Sequence, residues 1–357
     1  MGARLTSGRD RQRDGRRAPI ARRRVMTIRD VARQAGVSPA TVSRVLNHSS
    51  HPVSERGRRR VMAAVRQLSY IPNLLARSLL TQETAAIGVL IPDVSNPYYA
   101  AILRGIEDTV GPSGRTVILC NTDRDPQKQR LYLRALMERR VDGLVIAGGS
   151  FGRPDMEITG EAFPLVMIGR HPARVPSVRV DNVAAAIMAT RHLLDLGHRR
   201  IACLAGPRVS LTAADRVKGY RRALDGAALP IDPGLIREVG FAPAGTRDAV
   251  SALFGVPGAP TAVVAPNDQV AIGVVRALHE LGLRVPADVS VVGFDDTPVA
   301  SFTVPSLTTV AVPTYDLGRT AVELLVRVLE GQPAGSVVLP CALRIRESTA
   351  GIHGGRD

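Results

Sequence analysis

The spacing of apolar residues between Met26 and Leu46 constrains this chain more than any other feature. Ile28, Val31, Ala32 and Ala35 recur at i, i+3, i+4 and i+7, so they line one face of a helix. Gly36 follows where a tight turn between two helices needs a residue without a Cβ. Ser38 can accept a hydrogen bond at the N-cap of a second helix, and Pro39 suits its first position. Val42, Val45 and Leu46 then face inward. Pro39, Ala40, Thr41, Ser43 and Arg44 are left on the outer face of a helix that fits a major groove. A helix-turn-helix unit is therefore predicted within residues 26–72.

Charge points the same way. The formal net charge is +15. Residues 1–25 carry nine arginines and two aspartates, and residues 26–81 carry nine arginines and two acids. Each segment is +7, which leaves +1 for the other 276 residues. A basic terminal module on a near-neutral body is the electrostatic footprint of a polyanion binder. A chain that was merely arginine-rich would spread its charge. Residues 1–25 lack the apolar run of a secretory signal and are too polar to bury a core. They read either as a disordered arm that grips phosphate or as sequence upstream of a start at Met26. The second reading is preferred, because the helical pattern needs nothing before Thr27.

Beyond residue 84, short apolar runs alternate with helical patterns. Strands are expected at 87–91, 116–120, 143–147, 165–168, 201–205, 262–265 and 290–293. Helices are expected near 98–110, 127–139, 183–196, 213–228, 246–254, 268–282 and 314–330. Continuous apolar strands joined by helices argue a parallel sheet covered on both faces. The pattern occurs twice, over 85–180 and 183–305. That predicts two doubly wound lobes holding a ligand at the carboxyl ends of their strands.

Other chemistry is poorly supported. No run of 18 apolar residues exists to span a membrane. Cys120, Cys203 and Cys341 are isolated in apolar runs, as expected of small buried side chains in a reducing cytoplasm. There is no phosphate loop of Gly-x-x-x-x-Gly-Lys type, no His-Glu-x-x-His, no Cys-x-x-Cys and no Gly-x-Ser-x-Gly. His192 and His198 flank a helix end without a metal-spaced partner cluster. No catalytic residue, metal or cofactor is implied. An exported sugar-binding protein would need a signal segment where the helix-turn-helix stands. An enzyme would need an activated nucleophile, an acid–base pair or a metal cluster.

Thr41-Val42-Ser43-Arg44-Val45-Leu46-Asn47 and Ala76-Arg77-Ser78-Leu79 resemble the headpiece and hinge of LacI-type transcriptional regulators, and the likeness runs from Met26 almost to the end. The resemblance implies an α plus α/β protein. Its parts would be a helix-turn-helix headpiece (26–72), a hinge helix (73–81) and a two-lobed, periplasmic-binding-protein-like effector domain (82–357). The chain would cross between the lobes near Asp181, Val312 and Pro340.

The same resemblance implies a cytoplasmic repressor binding duplex DNA as a homodimer, at a palindromic operator with a central CpG step. DNA contacts would come from Thr27, Ser38, Pro39, Ala40, Thr41, Ser43, Arg44 and Asn47, and from Asn73, Ala76 and Leu79 of the hinge. The family's tetramers add a C-terminal leucine heptad, which residues 346–355 do not show, so a dimer is expected. A small-molecule effector, a sugar or sugar derivative, would meet Asp93, Asn96, Tyr98, Tyr99, Arg170, Arg216, Phe241, Asn267 and Asp295. Two positions depart from the pattern. Gly57 replaces a helix-forming threonine and should weaken the third helix by up to about 1 kcal/mol. Gly169-Arg170 stands where an acidic residue is usual. That removes a hydroxyl acceptor and leaves room for an acidic sugar or a sugar phosphate.

Overall fold

The computed structural model describes residues 26–46, 51–70, 84–149, 151–171 and 175–352. Asn47 and the hinge residues Asn73, Ala76 and Leu79 lie outside the described residues. The chain divides into two compact units between residues 80 and 81.

In the first unit, helices α1 (Ile28–Ala35), α2 (Pro39–Leu46) and α3 (Glu55–Gln67) enclose a core of Val31, Ala32, Ala35, Val42, Val45, Val61, Ala64 and Tyr70. Thr27 and Asp30 form a capping box that satisfies the first free amides of α1. Gly36 ends α1 in the left-handed region at φ 60°. Arg60 reaches from α3 to this turn, donating from Nε to the Ala35 carbonyl at 2.8 Å and from Nη2 to the Gly36 carbonyl at 2.8 Å. A Cβ at position 36 would collide with that guanidinium. Ser54 caps α3 by accepting from the Gly57 amide at 3.2 Å, so Gly57 lies within its first turn.

The second unit has two lobes. The chain builds the first with β1 (Ala86–Ile91), α4 (Pro97–Val110), β2 (Thr116–Asn121), α5 (Pro126–Glu138), β3 (Gly143–Ala147), α6 (Arg153–Thr159), β4 (Leu165–Ile168) and β5 (Ser177–Val180). The second follows with α7 (Asn182–Asp195), β6 (Ile201–Ala205), α8 (Leu211–Asp225), β7 (Ile236–Glu238), α9 (Thr246–Phe254), β8 (Ala262–Val264), α10 (Asp268–Glu280), β9 (Ser290–Asp295) and β10 (Thr308–Ala311). The chain then returns to the first lobe as α11 (Thr314–Leu329) and β11 (Ser336–Leu339), and ends in the second as β12 (Ala342–Arg344).

The two sheets run β11-β5-β4-β3-β1-β2 and β12-β10-β9-β8-β6-β7. All strand pairs are parallel except β10 with β12. The crossings fall beside Asp181, Val312 and Pro340, where the family resemblance implies them. Strand β1 is buried along its whole length, as a strand covered on both faces must be. Helices α4 and α11 pack closely because glycines meet carbonyls: a Cβ on Gly105 would strike the Tyr315 carbonyl, and one on Gly318 the Ile102 carbonyl.

Five strands and one helix are absent from the sequence reading: β5, β7, β10, β11, β12 and α6. The strands have three or four residues each, too few for a periodic signal. Three of them, β7, β11 and β12, close sheet edges and are half exposed. Strand β10 is buried but begins with Thr308 and Thr309, polar in composition though β-branched in shape.

Candidate functional site

Two surfaces carry the chemistry, one in each unit. On α2 the core takes Val42 and Val45, leaving Pro39, Ala40 and Arg44 exposed and Thr41 and Ser43 half-buried. Ser38 works locally: its Oγ accepts from the Thr41 amide at 3.1 Å and lies 2.9 Å from the Thr41 hydroxyl. The Thr27 hydroxyl donates to Asp30 at 2.7 Å. Arg58, Arg59 and Arg60 are all exposed on α3, but Arg60 is tied to the α1 turn.

The second surface is a cavity of about 530 Å³ between the lobes, at the carboxyl ends of the strands. Asn96, Tyr98, Tyr99, Arg170, Arg216, Phe241, Asn267 and Asp295 all line it. Asp93 does not. Its Oδ1 accepts from the Ser95 amide at 2.9 Å and the Ser95 hydroxyl at 2.6 Å in the turn before α4.

Most of these residues also hold one another in place. Asn96 caps α4 through the Tyr98 amide at 3.0 Å. Tyr98 and Tyr99 meet edge to face, their centroids 5.0 Å apart. Asn267 caps α10 through the Val270 amide at 2.9 Å and donates from Nδ2 to the Phe241 carbonyl at 2.8 Å. This fixes Phe241, which also lies so close to Gly206 that a Cβ there would overlap its ring.

Arg216 and Asp295 form the charged centre. Arg216 donates from Nε to Asn182 Oδ1 at 3.0 Å and from Nη1 to the Pro266 carbonyl, lies 4.2 Å over the Phe294 ring, and sits 3.7 Å from Asp295 Oδ1. Burial pushes the Asp295 carboxyl up to about 8, even though Arg216 pulls the other way. The Tyr98 phenol is raised first by burial and then by Asp295. Behind this pair, Asp268 accepts from the Thr297 amide at 2.7 Å, the Thr297 hydroxyl at 2.9 Å and the Thr309 hydroxyl at 2.5 Å, which anchors the loop after β9.

Arg170 does not point its charge freely into the cavity. It pairs with Asp215 on α8, and the pair bridges the two lobes. Among the further residues that line the cavity are Arg124, Arg130 and Asp155, whose charges the sequence reading does not pick out. Arg124 could have been found, since it follows the end of β2 as its neighbours follow theirs. Arg130 and Asp155 lie on helices and give no such signal. Cys120, Cys203 and Cys341 are free thiols, the first two buried. His198 is buried on Thr261, Ser290 and the Ala350 carbonyl, and His192 on Thr349, which are structural roles. Among the described residues no helix is long and apolar enough to cross a membrane.

A helix-turn-helix unit on one chain with a two-lobed binding body defines a class: DNA-binding regulators that answer to a small molecule. The chain belongs to the LacI family of bacterial transcriptional regulators and is not an enzyme. Residues 27–73 match the lacI-family model of bacterial regulatory proteins, and residues 190–349 match a periplasmic binding protein-like domain. The HTH-type transcriptional regulator DegA of Bacillus subtilis is 36% identical over 335 residues, covering 92% of this chain and 99% of DegA. The ribose operon repressor of Escherichia coli is 40% identical over 304 residues, 84% of this chain and 92% of the repressor. The fold is similar to that of the lac repressor dimer bound to operator and an anti-inducer, with TM-score 0.83, 33% identity, and coverage of 91% and 99%.

Proposed function

We propose that the protein is a cytoplasmic homodimer that binds a palindromic operator and changes its affinity when a sugar or sugar derivative fills the cleft. The observation that carries this is Arg216 beside the buried Asp295 on the wall of a ligand-sized cavity. Such a pair offers donors and an acceptor to hydroxyls that few other ligands present together. The relatives include a ribose operon repressor and a LacI family regulator solved with bound ribose, which supports the class of effector. Dimerisation is supported by large apolar side chains left in solvent beyond β9: Phe302 is 81% exposed and Val304 95%. The lac repressor relative is itself a dimer on its operator.

In this reading Pro39, Ala40, Thr41, Ser43 and Arg44 meet base edges, with Thr27, Ser38 and Asn47 beside them. Arg44 donates to guanine, and Ala40 and the Thr41 methyl contact thymine methyls. The hinge residues Asn73, Ala76 and Leu79 pair across the dimer, and Leu79 opens a central CpG step. Operators selected from random DNA should be palindromic, and an Ala40→Gln protein should select a different consensus. Leu79→Ala should weaken operator binding while leaving salt-sensitive non-specific binding in place. Non-palindromic sites, an unchanged consensus for the Ala40 variant, or a monomer by sedimentation at micromolar concentration would refute this arrangement.

A further inference from the structure

Four arginines line the cleft: Arg124, Arg130, Arg170 and Arg216. Two are balanced. Arg216 faces Asp295, and Arg170 is paired with Asp215. Arg124 and Arg130 have no carboxylate within ion-pair distance among the described residues. Arg124 lies with its guanidinium 5.1 Å from the centroid of the Phe241 ring, across the cleft. A ring face attracts a cation but does not neutralise it. Both unbalanced charges come from one short stretch, the turn after β2 and the start of α5, so they mark one side of the cavity.

The acids on the wall do not answer them. Asp155 is 5% exposed and accepts from the Gly152 amide at 2.9 Å through Oδ2. Its Oδ1 is buried and has no hydrogen-bond partner among the described residues. A buried, unpaired carboxylate oxygen costs free energy until a donor reaches it. It therefore asks for a hydroxyl, the acceptor role that Gly169 gives up. The cleft thus combines two acceptors for hydroxyls, Asp155 and Asp295, with two cations that lack anions.

We propose that the effector is an anionic sugar derivative, a sugar acid or sugar phosphate, with its anion held by Arg124 and Arg130 and a hydroxyl donated to Asp155. This rests on the cleft being the effector site. Charge-assisted hydrogen bonds from two guanidinium groups would give the anion a preference over its neutral parent of about tenfold or more. The cation over Phe241 would then close the first lobe onto the second around the bound anion.

The test is calorimetric titration of the full chain with D-gluconate, D-glucose 6-phosphate and D-ribose 5-phosphate against D-glucose and D-ribose, at matched ionic strength. The headpiece arginines also attract anions, so wild type is compared with an R124Q/R130Q double variant, whose headpiece is intact. At least one anionic compound should bind wild type about tenfold more tightly than its neutral parent, and the double variant should lose that preference. Asp155→Asn should weaken both members of the pair alike. Comparable binding of neutral sugars, or a preference that survives in the double variant, overturns the proposal and leaves the cleft reading intact. Failure of every compound of both classes to bind wild type overturns both.

Discussion

In the headpiece the residues assigned to function are those the fold does not use, whereas in the effector body they are those the fold uses hardest. Arg44, Ala40 and Pro39 stand exposed on α2 after the core has taken Val42 and Val45. Asp295 and Asn267 are buried and Arg216 is mostly so, and all three are tied into caps, carbonyls and each other. The difference follows from the ligands. DNA is a large rigid polyanion that comes to the protein surface, so its readers must project. A small effector has few atoms, so its site must be held in advance by groups that cannot relax away. Mutations should therefore separate function from stability in the headpiece and fuse them in the cleft.

The largest effect expected from this contrast is at Arg216. Alanine there strands Asn182 Oδ1 and the Pro266 carbonyl and removes the guanidinium over the Phe294 ring. Each buried acceptor left without its donor costs about 1–3 kcal/mol. Denaturant unfolding of the effector body should show a loss of several kcal/mol along with loss of effector response. A variant that kept wild-type stability and lost only the response would show that the cleft, like the headpiece, keeps function apart from folding.

Next in size is the comparison of two headpiece arginines. Arg44→Ala should reduce specific operator affinity by about 1–3 kcal/mol and leave thermal stability within about 0.5 kcal/mol. Arg60→Ala should do the reverse. It strips hydrogen bonds from the Ala35 and Gly36 carbonyls at the α1 turn, for a loss of about 1–2 kcal/mol in headpiece stability. Melting followed by helix signal, set beside fluorescence anisotropy on the selected operator, reads both. Equal effects from the two arginines would dissolve the division between structural and reading residues.

How far the sequence could be read follows the same division. The interior of the second unit was legible because β1, β3, β4 and β6 are continuous apolar runs, whereas the three crossings between lobes came from the family resemblance alone. Cleft residues that end such strands, Asp295 and the segment at Asn267 among them, were legible with them. Arg124 had only its place after β2 to mark it, and Arg130 and Asp155 had nothing. Arg130 sits among charged residues on α5 and looks solvated, and Asp155 sits on a seven-residue helix that has no clear period. Asp93 differs in the opposite sense. It follows β1 as the others follow their strands, but it does not line the cavity, and a local turn with Ser95 takes one of its oxygens. Contacts made between lobes, and hydrogen bonds made two residues away, both escape periodicity.

The pH dependence of stability offers a smaller and sharper test of the cleft. The Asp295 carboxyl is held up at about 8 against an ordinary value of 3.8, mainly by burial. Between those values the folded protein keeps a proton that the unfolded chain has released. Stability must therefore fall as pH rises from about 4 to about 8. Asp268, held at about 6 by the same cause, adds to the lower part of the window only. Asp295→Asn removes the upper part. Urea unfolding of this variant between pH 6 and 8 should give a flatter profile than wild type. An unchanged slope would mean that Asp295 is ionised in the fold and fully balanced by Arg216.

The smallest effect is expected at Gly57, and it probes the headpiece from the stability side alone. The residue sits in the first turn of α3 with its amide on Ser54 Oγ. Glycine in a helix gives up to about 1 kcal/mol relative to alanine, most of it in backbone entropy. An added Cβ would stand 3.2 Å from Ser54 Oγ and 3.4 Å from Val53 Cγ1, a tight fit in which both neighbours must yield by a few tenths of an ångström. That offsets part of the gain, so Gly57→Ala should raise headpiece stability by about 0.5 kcal/mol. The selected operator consensus should not change, because Gly57 is remote in sequence from α2 and its partners are Ser54 and Val53. A loss of stability would show that the Ser54 cap cannot shift and that the glycine is there for space. A changed consensus would show that the start of α3 helps to set how α2 meets the bases, and the separation of reading from folding would then end at Arg44.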